Sequence, residues 1–301
     1  MKKLLTLAII ALLCNIAFSQ TDTTAIFHKA DSLSNIGDRI NKEKKSNEAI
    51  EIYKQVAEIT KDINEGKNSR YATALYNIAT IYSDIADDKN ALIYHTQALK
   101  IREKILGKEH PDYATSLNNI GLTYYFMGDD KNALKYFTAA LKIRKKILGE
   151  MHPDYATSLS HTGTVHRNIG EYQIALKYNL QALEIRRKTL GETHSDYAKS
   201  LNSVGTIYSY MGDYQNALKY QLKALDIIGE NQGKNNLNYA VLLNSLGMTY
   251  SNIGEYKDAL NYEIQAAELT KKILGEEDID YANLLNNIAD EYENMGDYPQ
   301  A

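Results

Sequence analysis

Residues 110–149 read HPDYATSLNNIGLTYYFMGDDKNALKYFTAALKIRKKILG, and this stretch holds two helical patterns joined by a short turn. Apolar or small residues at Ala114, Leu117, Ile120, Gly121 and Tyr124 follow the three-and-four spacing of one helix face. A second face runs through Ala133, Leu134, Phe137, Ala140, Leu141 and Leu148. Between them lies Met127-Gly128-Asp129. Glycine ends a helix without a Cβ penalty, and aspartate starts the next by accepting from free N–H groups. Leu148-Gly149 closes the second helix in the same way.

The pattern repeats. A Tyr-Ala pair followed by Leu starts at Tyr71, Tyr113, Tyr155, Tyr197, Tyr239 and Tyr281, at a constant interval of 42 residues. A second marker keeps that interval through Ala49, Ala91, Ala133, Ala175, Ala217, Ala259 and Ala301. Two markers in one register define a tandem array of helix pairs. The turn recurs as Gly170-Glu171, Gly212-Asp213, Gly254-Glu255 and Gly296-Asp297. Gly121, Gly163, Gly205 and Gly247 occupy one mid-helix slot, with alanine at Ala79 and Ala289. A mid-helix glycine costs about 1 kcal/mol relative to alanine. Its recurrence therefore predicts close approach of the second helix, at its recurrent alanine, and overpacking if leucine replaces Gly163.

Leu117, Gly121, Tyr124, Ala133, Phe137 and Ala140 match the small-and-large pattern of the tetratricopeptide repeat. The 42-residue form, with HPDYATSLNNIG and ALKIRKKILGE, resembles the kinesin-light-chain type. The resemblance covers residues 29–301. It implies an all-α TPR α-solenoid, a right-handed superhelix of antiparallel helix pairs whose first helices line a concave, partner-binding groove. On that pattern the groove positions are Asn77, Asn118, Asn119, Tyr125, Phe126, His161, Arg167, Asn168, Lys199, Asn202, Tyr210, Asn244, Asn252, Asn286 and Asn287. Asparagine donates to and accepts from a peptide backbone, and the aromatic residues offer apolar area. The expected partner is a protein or an extended or helical peptide.

Residues 20–70 lack the Tyr-Ala start and the turn glycine and read as an N-terminal capping, degenerate repeat, with Lys42-Glu43-Lys44-Lys45 as a solvated turn. Residues 71–301 form the array. Residues 229–238 are more polar and read as a flexible joint. Ala301 falls inside a helix that earlier repeats complete, so a longer protein is expected.

Residues 1–19 read as an export signal. Lys2 and Lys3 precede an apolar stretch from Leu4 to Leu13, too short to span a bilayer, and Ala17 and Ser19 sit two apart before the cut. An exported, periplasmic or extracellular chain with no membrane span is expected. Cys14 is the only cysteine and lies inside that signal, so no disulfide or thiol chemistry is expected after cleavage. The net charge of −4, with both signs mixed, argues against nucleic acid.

His110, His152 and His194 recur two residues before an aspartate, a pattern that raises metal binding. The same slot holds Asn68, Asn236 and Asp278, which are preferred N-cap residues, and Pro111 and Pro153 follow at the first helical position. Helix capping is therefore the reading. His161 and His166 are five apart and share no helix face as an i,i+4 pair does; His166 replaces a core tyrosine. Tyr94, Tyr136, Tyr178, Tyr220 and Tyr262 form a stripe read as inter-repeat packing. No catalytic constellation, cofactor motif or metal set stands out from the repeat background. The expected function is a non-catalytic interaction scaffold. The alternative is the N-terminal sensory or substrate-recruiting arm of a longer signalling or CHAT-type protease protein.

Overall fold

The computed structural model describes residues 23–297, other than residue 67, together with residue 300. The export signal read over residues 1–19 and the chain end at Ala301 lie outside the described residues. Helix α1 spans 23–42. It is followed by α2 (Ser46–Thr60), a 3-10 turn (Ile63–Gly66), α3 (Ser69–Asp84), α4 (Asp88–Leu106), α5 (Pro111–Phe126), α6 (Asp130–Leu148) and α7 (Pro153–Asn168). The remaining helices are α8 (Tyr172–Leu190), α9 (Ser195–Tyr210), α10 (Tyr214–Gln232), α11 (Leu237–Ile253), α12 (Tyr256–Leu274) and α13 (Ile279–Asn294). Among the described residues there is no strand, so the fold is all-α.

The caps set this frame. Asn68 accepts from the Tyr71 amide, Asn236 from Tyr239 and Asp278 from Asp280. The histidines do the same job: Nδ1 of His110, His152 and His194 accepts from the amide two residues on, at 3.1 Å in each case. Their ring nitrogens thus satisfy orphan helix N–H groups. The polar segment 229–238, expected to be a flexible joint, holds a short irregular stretch at 233–236 between two helix ends. It carries the last turn of α10, which runs to Gln232, and the Asn236 cap of α11.

The chain forms two compact units, one up to Ile147 and one from Leu148. Within each, helices adjacent in sequence pack on one another. In the first unit, Ala49, Ile50, Tyr53, Ile78 and Ile81 make one apolar cluster, and Tyr113, Leu117 and Ala140 another. In the second, Leu201, Val204, Ala224, Ile228 and Leu242 belong to a larger cluster. The mid-helix glycines sit where expected. A Cβ on Gly121 would lie 2.7 Å from the Phe137 ring, and one on Gly205 would lie 2.9 Å from the Ala217 carbonyl oxygen. Gly37 meets Tyr53 at the same slot of the first helix pair, so α1 and α2 already follow the repeat register.

The tyrosine stripe stacks within a helix pair. Tyr82–Tyr94, Tyr124–Tyr136, His166–Tyr178, Tyr208–Tyr220 and Tyr250–Tyr262 have ring centroids 5.4 to 5.6 Å apart. Tyr94 also packs against the Ala49–Ile50 cluster of the preceding pair. The inter-repeat reading was therefore incomplete: each tyrosine first joins the two helices of its own pair.

The turn after each first helix needs a left-handed residue. Gly128 has φ of 75° and Gly212 of 78°, but the same slot holds Ala86 and Lys44, each at φ of 58°. Alanine in this region is strained by about 1 kcal/mol. Ala86→Gly is therefore expected to stabilise the protein by about that amount, seen as a rise in the urea midpoint; an unchanged or lower midpoint would count against left-handed strain at this turn.

Candidate functional site

First helices follow one another 42 residues apart, so equivalent positions on neighbours share a number modulo that interval. The hydrogen bonds between them use an offset of one. In the first unit, Asn119 Nδ2 donates to the Tyr76 hydroxyl at 2.8 Å. In the second, Asn202 Nδ2 donates to Ser245 Oγ at 3.0 Å, Asn287 Nδ2 to Asn244 Oδ1 at 3.1 Å, and Asn252 Nδ2 to Ser209 Oγ at 3.3 Å. Each pair is separated by 43 residues. These asparagines tie α3 to α5 in the first unit, and α9 to α11 and α11 to α13 in the second.

Those bonds correct the expectation that the asparagines are free to meet a peptide. Asn119, Asn202, Asn244, Asn252 and Asn287 spend part of their hydrogen-bonding capacity between helices. Asn118 is only 4% exposed and cannot touch a partner. It lies on the face of α5 that also carries buried Ala114, Leu117 and Gly121. Asn77 is half-buried and lies beside the Tyr53 hydroxyl, which donates to Asp38.

The accessible residues are fewer. Phe126 is 67% exposed, and Tyr125 beside it is half-buried with its ring edge-on at 5.5 Å. In the second unit, Tyr210 is 48% exposed and stacks on Tyr172 at 5.7 Å. The Arg167 guanidinium sits 5.9 Å from the Tyr210 ring centre and donates to Asn168 at 3.0 Å. Asn168, Lys199 and Asn286 are exposed, and His161 is half-buried. Lys199 lies 3.9 Å from Asp196. The structure thus brings Arg167, Asn168 and Tyr210 together on neighbouring first helices, α7 and α9.

Cavities open between consecutive first helices. One of about 280 Å3 in the first unit is lined by residues of α3 and α5, including Asp84 and Phe126, with His95 of α4. In the second unit, one of about 240 Å3 adjoins Lys199, Asn202 and Val241. Another of about 420 Å3 lies between Val241, Asn244 and Ser245 of α11 and Asn283, Leu284 and Asn287 of α13.

Three second-helix arginines went unnoticed in the sequence. Arg102, Arg144 and Arg186 recur at 42 residues, and Arg102 and Arg186 each reach between two first helices of one unit. Arg102 donates to Ser116 Oγ at 2.8 Å and to the Asp112 carbonyl at 3.2 Å, and stacks over Tyr76 at 4.5 Å. Arg144 donates to Thr115 Oγ1 at 3.2 Å. Arg186 donates to Ser200 Oγ at 2.6 Å and Ser160 Oγ at 3.1 Å. Burial pulls the pKa of Arg102 and of Arg186 down, opposed by the charges of Asp112 and Asp196 respectively. Serine and threonine hydroxyls hold these cations. Where the arginine slot becomes Ile228, the facing slot becomes Leu242, and both lie in one apolar cluster. The signal was available as Arg and Ser changing together along the repeats.

A model of the tetratricopeptide repeat matches residues 29–104, 87–146, 112–188, 154–230 and 196–272. No curated protein matches the sequence. Among solved structures, the chain is similar to apo RapI, with a TM-score of 0.63 and 17% identity, over 91% of this chain and 100% of that one. It is similar to BtubC (BKLC) from P. vanneervenii, with a TM-score of 0.60 and 19% identity, over 78% of this chain and 92% of that one. It is also similar to a Podosopora anserina protein described as a kinesin light chain with nearly identical TPR-like repeats. That likeness has a TM-score of 0.56 and 20% identity, over 66% of this chain and 94% of that one. The capped helix pairs, the glycine slots and the matched residues together place this chain in the tetratricopeptide repeat family.

Proposed function

We propose that this chain is an exported, non-catalytic binding protein that holds a protein or peptide partner against its first helices. The observation that supports the reading best is the placement of cavities beside exposed aromatic or apolar side chains at first-helix junctions. Phe126 flanks one in the first unit, and Val241, 59% exposed, adjoins two in the second. A soluble protein leaves such groups in water singly, but grouped around concavities they fit recognition. The mixed charge of the chain favours a partner of modest charge over nucleic acid. Among the described residues, no helix is long and apolar enough to cross a membrane.

The test is affinity capture from the native envelope fraction with the full chain as bait, read by mass spectrometry. The control bait carries Phe126→Ala, Arg167→Glu and Tyr210→Ala; these side chains are exposed or half-buried, so the bait is expected to keep its helical circular dichroism. A protein captured by the wild type and lost from the control supports the reading. Equal capture by both moves the interface away from the first helices, and no capture at all removes the reading.

A further inference from the structure

The cavity between α3 and α5 has an unusual chemistry: its polar atoms are mostly acceptors. The hydroxyls of Thr80, Ser83 and Thr123 each donate to a carbonyl of their own helix, at 3.0, 3.2 and 3.0 Å. Their protons are spent, and their oxygens remain as acceptors. Asn119 has one amide hydrogen committed to Tyr76, which leaves its Oδ1 and the second amide hydrogen. The His95 side chain, 1% exposed, also lines the cavity, and its Nδ1 is buried without a hydrogen-bond partner. Burial, helped by the Arg102 charge, pushes that imidazole down to about 4, so it is neutral at pH 7. Asp84 sits at the mouth, its carboxyl raised by partial removal from water, and forms no ion pair among the described residues. The nearby cation Arg102 is not part of the lining; it stacks on Tyr76 and is tied to Ser116.

A pocket of acceptors with a carboxylate at its mouth selects a cation that donates several hydrogen bonds. Leu122 and the exposed Phe126 supply the apolar wall that an aliphatic stem needs, and an aromatic face attracts a cation. At about 280 Å3 the cavity is smaller than the usual small-molecule site, and fits a single side chain. Among the described residues there is no group of three or more metal-ligating side chains, so the acceptors do not form a metal site.

We propose that the α3–α5 pocket receives one lysine or arginine side chain of the bound partner, its charge on Asp84 and its stem against Leu122 and Phe126. The inference rests on the partner-binding reading above and names the side chain that this part of the surface selects.

The test is an NMR titration of the full chain with N-acetyl-lysine-N-methylamide and its arginine counterpart, with the norleucine and glutamate derivatives as controls. The readout is the His95 imidazole, assigned by its loss in His95→Phe, a swap for which Phe137 supplies the precedent one repeat on. Saturable shifts with the basic probes, absent with the controls and weakened about tenfold by Asp84→Asn, are expected. No saturable shift, an equal response to norleucine, or an unchanged response in Asp84→Asn overturns the proposal. The two readings fail separately. A partner captured through the first helices with no Asp84-dependent probe binding sinks the pocket alone. Asp84-dependent probe binding with no captured partner sinks the partner reading alone.

Discussion

Replacing Glu263 with glutamine is expected to raise the thermal midpoint strongly at pH 8 and hardly at all at pH 4. Glu263 is 1% exposed and faces Glu291, itself 3% exposed, on α13. One carboxylate oxygen of each, Oε2, has no hydrogen-bond partner. Burial raises the Glu263 carboxyl to about 8, and the charges of Glu291 and Asp290 add to the rise. The ordinary value for a glutamate carboxyl is 4.5. Between 4.5 and about 8 the folded protein therefore binds more protons at this site than the unfolded chain. Stability falls as pH climbs through that window, and below it the contribution is fully present. Glutamine has no proton to lose, so the gap between variant and wild type opens with pH. At pH 8 it is expected to reach about 4 kcal/mol, since each pK unit is worth about 1.4 kcal/mol. The slot already accepts an amide. Gln221 occupies it one repeat earlier, where Nε2 donates to the Ser245 carbonyl at 3.2 Å. Melting curves for both proteins from pH 4 to 9 make the check; parallel curves would show that Glu263 carries no such penalty.

Leucine at Gly163 is expected to cost about 3 kcal/mol, and the reason separates it from a milder substitution at the same place. A Cβ there would lie 2.2 Å from Asn179 Nδ2, the far end of a side chain that can swing. Its next neighbour is the Ala175 carbonyl oxygen, at 3.2 Å. Alanine can be absorbed by moving Asn179, and it recovers about 1 kcal/mol of helix propensity. Leucine cannot, because its branches must enter the seam between α7 and α8. At Gly205 even alanine is expected to destabilise, since besides Gln221 Cγ at 2.7 Å it would meet the Ala217 backbone oxygen at 2.9 Å, which cannot swing away. Denaturant titrations of Gly163→Ala, Gly163→Leu and Gly205→Ala should rank in that order of loss for the first two, with Gly205→Ala below Gly163→Ala in stability. Equal stability of Gly163→Leu and wild type would sink the account.

The fold was legible because its decisive signals are local or strictly periodic. Caps, turn glycines and the glycine slot each recur at 42 residues, and each maps onto one helix end or one contact. The candidate site was less legible. Its asparagines were assigned to a partner because their exposure was inferred from a single helix. Their true neighbours lie on the next first helix, offset by one residue, and a search in steps of 42 passes over pairs 43 apart. The residue facing the glycine slot also resisted reading. Tyr53, His95, Phe137, Asn179, Gln221 and Glu263 share it, and no composition rule assigns six such different side chains to one buried position.

The arginine seams have an evolutionary consequence. Near-identical tandem units invite unequal crossing-over, which adds or deletes whole units without shifting the reading frame. The register would survive such an event here, but the junction would not always match. A recombinant that set Arg186 before a unit beginning like α11 would face it with Leu242 instead of Ser200, and strand a guanidinium against an aliphatic wall. The reverse join would leave a serine hydroxyl against Ile228. Seam chemistry therefore works as a lock on copy number and order, and it lets the units remain alike without becoming interchangeable.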